Sequence, residues 1–171
     1  MSLRLPKSIE SDPRGEQLLR GLAVHTRLLW PGGGIATPVA ALTPELAEAL
    51  RSAHSAGQVV RSLEKAERTL AAEERGLRLA DRQSGAARGV RVSRLLLLAD
   101  DGAERFYRNI EALLTRHGPR VLAVRLEIDE KRLGEMLFGP GQVARLLMLE
   151  HKRAVASVLL SLALQWADPA A

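Results

Sequence analysis

The chain has 171 residues, 46% hydrophobic and 26% charged, with 25 Lys and Arg against 20 Asp and Glu and no cysteine. That length and composition suit one soluble domain with a real core. The lack of cysteine excludes disulfides, thiolate metal sites and cysteine nucleophiles. Aromatic content of 3% argues against single-strand binding by base stacking.

Residues 1–13, polar and carrying Pro6 and Pro13, read as a flexible tail without a signal-peptide core. Residues 14–43 form a poorly defined extension. Glu16–Leu22 has helical spacing, whereas Leu22 to Trp30 also alternates as a strand would, and the two readings stay open. Pro31 to Gly34 breaks the chain; no Lys-Ser/Thr follows, so a flexible loop is expected and not a phosphate cradle. Thr43 and Pro44 start a helix as N-cap and first residue, and Gly57 ends it.

From residue 58 the pattern is regular. Residues 58–61 predict a short strand and Ser62 caps the next helix. Residues 75–91 extend it as an Arg-rich connection ending near Gly85. Residues 92–99 read as a buried strand stopped by Asp100-Asp101-Gly102, with both acids expected to cap the helix over 104–117. Residues 121–128 are the third strand. Asp129 caps a short helix, residues 143–149 are the fourth strand, and 151–166 the last helix. No apolar run is long enough to cross a bilayer. The alternation predicts a three-layer α/β/α sandwich over residues 44–168, with a four-stranded mixed sheet and helices on both faces.

The surplus charge has one address. Residues 75–94 hold six arginines, Arg75, Arg78, Arg82, Arg88, Arg91 and Arg94, against Asp81 and no other acid; the remaining 19 bases and 19 acids cancel once Glu73 and Glu74 are counted with the body. A neutral body with one cationic segment is the footprint of a protein that touches polyanions. A solvated basic loop is the competing explanation.

Catalytic and cofactor motifs are missing. No Gly-x-Ser-x-Gly, Gly-x-Gly-x-x-Gly or Walker pattern occurs, and His25, His54, His117 and His151 lack short metal-ligand spacing. The reading is a protein that is not an enzyme and has no metal or cofactor. A magnesium site at Asp100 or Asp101 is the weakest alternative.

Several strings resemble the L-seven-Ae/L-thirty-e family of RNA-binding ribosomal proteins. They are Ala56 to Val60, Leu95 to Glu104, Ile110 to Leu126, Leu133-Gly134-Glu135 with Gly139-Pro140-Gly141, and His151 to Ala163, within a likeness that covers residues 44–165. The resemblance implies a non-catalytic accessory protein that binds structured RNA at the turn between its first strand and the following helix. There the family carries Gly-x-Asn-Glu and a nearby lysine. The matching stretch here is Ser62-Leu63-Glu64-Lys65, without the glycine or the asparagine. Ser62 as an N-cap and Glu64 at the positive end of a helix explain these residues equally well. The candidate RNA contacts are Gln58, Arg61, Glu64, Lys65 and Arg68, with Arg75, Arg78, Arg82, Arg88 and Arg91 as the electrostatic patch. The expected partner is ribosomal or other non-coding RNA in the cytoplasm. The alternative is an interaction or homodimerisation module on the same fold.

Overall fold

The computed structural model describes residues 3–84 and 91–166, which leaves Arg88 outside the described residues. In chain order the elements are α1 (Lys7–Glu10), α2 (Gly15–Val24), β1 (Thr26–Leu28), β2 (Ala36–Ala40), α3 (Pro44–Ser55), β3 (Val59–Val60) and α4 (Leu63–Ser84). They continue with β4 (Arg94–Leu98), α5 (Glu104–His117), a 3-10 turn (Gly118–Arg120), β5 (Val121–Leu126), α6 (Glu130–Phe138), β6 (Leu146–Leu149) and α7 (Lys152–Gln165).

Local chemistry accounts for most boundaries. Thr43 Oγ1 accepts from the Leu46 amide and Pro44 opens α3. Asp129 accepts from the Arg132 amide at 2.7 Å and starts α6. Gly118, at φ 62°, closes α5 where a side chain would be strained. The open question over residues 22–30 resolves into both answers: α2 runs to Val24 and β1 follows.

The sheet is mixed, in the order β1-β2-β5-β4-β6-β3. Strands β2, β5 and β4 are parallel, β6 runs antiparallel to β4, and β3 and β1 are antiparallel edge strands. The α/β class is as expected, but the count of four strands is corrected to six among the described residues. The two extra strands form a hairpin that adds to β5 through Val39 opposite Arg125 and Ala40 opposite Leu126. Pro38 inside β2 hides it from a sequence reading, because proline demotes a run that would otherwise read as strand.

Both faces of the sheet are covered. Leu95, Leu97, Val124 and Leu147 pack with α1, α2, α3, α6 and α7 on one side. Leu96, Leu98, Ala123 and Met148 pack with α4 and α5 on the other. The run Leu95 to Leu98 is therefore apolar without alternation because both of its faces are buried.

Residues 3–13 are packed and not a loose tail. Leu5 and Ile9 are buried, and the Val92 amide donates to the Arg4 carbonyl at 2.8 Å. Their burial depends on partners in α7 and β4, distant in sequence, so local composition could not reveal it. Among the described residues no helix is long and apolar enough to cross a membrane.

Candidate nucleic-acid interface

The turn that the sequence singled out sits where β3 gives way to α4. Ser62 Oγ accepts from the Lys65 amide at 3.1 Å, as an N-cap should. Arg61 anchors the turn: its guanidinium donates to Gln142 Oε1 at 3.0 Å and to the Val143 carbonyl at 2.7 Å, and lies 4.3 Å from the Phe138 ring centre. The segment ahead of β6 is thereby tied to the start of α4.

Between them opens a cleft of about 570 Å³. Arg61, Ser62 and Lys65 line one wall, Ala103, Arg105 and Asn109 at the start of α5 a second, and Val143, Arg145 and Glu130 a third; Phe106 and Leu146 are among its apolar residues. The cleft lies beyond the carboxyl end of β4, where open α/β sheets place ligands. Arg145 is paired with Glu130 at 2.6 Å. Lys65 and Arg105 are exposed and pair with no carboxylate among the described residues. Ala103 gives α5 no side-chain cap. The site therefore presents uncompensated positive charge around an apolar floor.

Helix α4 carries the charge away from the cleft. Ala66 and Leu70 face the core. On the opposite face Arg68, Arg75 and Arg82 recur every seven residues, about 10 Å apart along the axis, with Arg78 beside them. All four are exposed. Glu64, also exposed, offsets the charge of the first turn, so the positive character of α4 is strongest over 75–82. The Glu74 carboxylate reaches Arg78 only at 3.9 Å.

The inner side of α4 is locked to the sheet by partly buried ions. Arg94 donates to both oxygens of Glu73 at 3.1 Å, and Arg120 donates to Glu73 at 3.0 Å, to Glu74 at 3.3 Å and to the Leu70 carbonyl at 3.1 Å. Burial alone would raise the Glu73 carboxyl, but the Arg94 and Arg120 hydrogen bonds outweigh it and hold it below the ordinary range. His117 lies beside this cluster, its Nδ1 3.7 Å from Glu74 and without a hydrogen bond. Burial, then the charge of Arg120, pushes its pKa down.

The proposed contacts thus divide. Arg61 and Lys65 line the cleft, and Glu64, Arg68, Arg75, Arg78 and Arg82 lie on the exposed surface of α4. Gln58 lies elsewhere, in a small hollow with Ala49, Ser52, Arg153 and Ser157. Arg91 ties down the N-terminal segment through the Leu5 carbonyl at 2.9 Å and Glu10 at 2.8 Å. Arg105, Asn109 and Arg145 escaped the sequence reading. The antiparallel pairing of β6 with both β3, Val60 opposite Met148, and β4, Leu98 opposite Leu146, brings them to the Ser62 turn.

Two local expectations are corrected. Asp101 does not cap α5; its Oδ1 accepts from the Glu130 amide at 2.9 Å, at the start of α6. The 100–103 turn is held instead by the Tyr107 hydroxyl, which donates to the Ala99 carbonyl at 2.6 Å and accepts from the Gly102 amide at 3.1 Å. The glycine loop is tied to α5 through a carboxylate: the amides of Gly34 and Ile35 donate to Glu111 Oε2 at 3.0 and 3.1 Å. No cluster of three or more His, Asp or Glu able to hold a metal occurs among the described residues. No protein-family model matches the chain, and no curated protein matches it.

Proposed function

We propose that the protein is a non-catalytic RNA-binding accessory protein of ribosomal-protein type, divergent from the L-seven-Ae/L-thirty-e family, that grips structured RNA with the Ser62 cleft and the outer face of α4. The observation that carries this reading is continuity. The turn leads directly into the 22-residue helix, about 33 Å long, that carries Arg68, Arg75, Arg78 and Arg82 and is anchored from behind by Glu73 and Glu74. Guanidinium groups on a rigid rod match a phosphate backbone, which supplies most of the affinity, while the cleft orients the RNA. Strands β3, β4, β5 and β6 alternate with helices α4 to α7, as the sequence pattern over residues 44–168 suggests. The missing asparagine in the turn leaves shape and phosphate as the expected basis of recognition.

The test is fluorescence anisotropy of a labelled RNA hairpin with an internal loop, titrated at about 50 and 200 mM salt. Wild-type protein binds at micromolar concentration at the lower salt and loses affinity at the higher. Charge reversal at Arg75, Arg78 and Arg82 weakens binding at least tenfold and flattens the salt slope by up to about three. Binding that ignores salt, or variants that bind like wild type, would refute the reading.

An interaction module is the second reading, and one observation favours it. Val24, 68% exposed, and Leu28, 43% exposed, flank or lie in the edge strand β1. Exposed apolar side chains beside an open edge invite a partner strand. A concentration-dependent dimer by sedimentation, with no RNA affinity, would select it.

A further inference from the structure

A second cavity, of about 450 Å³, lies at the other end of β4 from the cleft. Its floor is apolar and buried, formed by Pro6, Val92 and Val155. Its walls carry four cations from four segments: Lys7 of α1, Arg91, Arg94 of β4 and Lys152 of α7. Among the described residues no carboxylate lines it. Arg91 and Arg94 are fixed through Glu10 and Glu73 at 2.8 and 2.9 Å. Lys7 and Lys152 are exposed and pair with no carboxylate among the described residues.

The start of α7 offers an independent anomaly. His151 stands at its N-cap, Lys152 and Arg153 follow, and the first turn holds no acid. Cations at the positive end of a helix oppose its dipole by about 0.3–1 kcal/mol each. A sequence that breaks a local rule beside a cationic cavity marks a place where something else supplies the compensation.

We propose that this cavity binds a small organic anion: a phosphate monoester or carboxylate seated against Lys7 and Lys152, with a compact apolar body lying on Val92 and Val155. Inorganic phosphate would satisfy the lysines but leave the floor unused. An RNA backbone would bring charge without an apolar group able to enter. The site is independent of the RNA interface.

Isothermal titration with phenyl phosphate, benzoate and inorganic phosphate tests the proposal on the full chain. At least one of the two aromatic anions binds saturably, below about 1 mM and at least tenfold more tightly than inorganic phosphate. The exposed double variant K7Q/K152Q loses at least tenfold in that affinity. Without ligand it melts no lower than wild type, because Lys152 opposes the helix dipole. Its affinity for the RNA hairpin is unchanged. No saturation by either aromatic anion, equal affinity for inorganic phosphate, or undiminished binding by K7Q/K152Q would overturn the proposal. A parallel loss of RNA binding would overturn it too, by making the cavity part of the RNA surface. Failure of RNA binding in wild type leaves this test intact, since the two readouts use different ligands.

Discussion

Glu73 is the acid on which two arginines depend. Its oxygens receive hydrogen bonds from Arg94 and Arg120, and Arg120 is 7% exposed. Removing one partner of a buried pair leaves an uncompensated charge, which costs more than the intact pair contributes. Glu73→Gln is expected to cost about 2 kcal/mol, less than for a fully buried pair because the carboxylate keeps some solvent; urea unfolding measures it. The same groups set the response to acid. The Glu73 carboxyl is held below its ordinary value, so its stabilisation is present above the normal carboxylate range and is lost as pH falls through the folded value. His117 shifts downward as well, chiefly by burial, with Arg120 and Arg116 also disfavouring the charged form against an opposing pull from Glu74. Below about 6.5 the unfolded chain takes up a proton that the folded histidine resists, so stability falls as pH drops from neutrality through that window. Thermal melting at pH 7.5 and 5.5 should show the decline, and His117→Gln should reduce it. An unchanged pH slope in that variant would count against the assignment.

Elements were legible where local chemistry decides them. Thr43 with Pro44, Asp129 with its short helix, the four-leucine run of β4 and the period of α5 each declare their structure within a dozen residues. What stayed hidden was set by contacts across the sheet. Asp101 reads as a cap for the helix just after it, yet serves the helix one strand away. Arg105 and Arg145 read as ordinary surface charge until β6 pairs with both β4 and β3 and brings them to the turn at Ser62. Half of the cleft was visible in the sequence, through Arg61, Ser62 and Lys65, because they adjoin one another in the chain; the other half required topology. Gly134 shows how closely α6 and the cleft are coupled. A Cβ there would stand 2.5 Å from the Gln142 carbonyl oxygen, where Arg61 also holds the chain. The obstacle is backbone and cannot rotate away. Gly134→Ala should therefore destabilise the fold by about 1–3 kcal/mol and displace the cleft wall. Urea unfolding measures the first effect and the RNA titration the second, with reduced affinity expected even where the variant is fully folded.

On the scale of the whole molecule, the N-terminal quarter is part of the fold. The sequence suggests a self-sufficient sandwich from residue 44, yet β2 covers the edge of β5, and Arg125 of β5 donates to the Leu29 carbonyl at 3.0 Å. Gln165 exchanges hydrogen bonds with the Ala41 amide and carbonyl, and Gln17 donates to the Ala163 carbonyl at 2.8 Å. Leu5, Ile9, Leu18 and Leu22 belong to the same buried cluster as the β4 and α7 side chains, and Leu29 to the cluster on the opposite face. Burying each such side chain contributes about 1.5–3 kcal/mol. Five of them together amount to about 10 kcal/mol, comparable with the entire stability of an ordinary domain. A chain beginning at residue 44 should therefore lose cooperative unfolding, with one face of the sheet and the β5 edge open to aggregation. The full chain should unfold in one transition, with far-ultraviolet circular dichroism coinciding with the fluorescence of Trp30 and Trp166, which report on opposite faces of the sheet. A truncated chain that melts cooperatively near the full-length midpoint would show that the hairpin and first helices are additions to a complete domain.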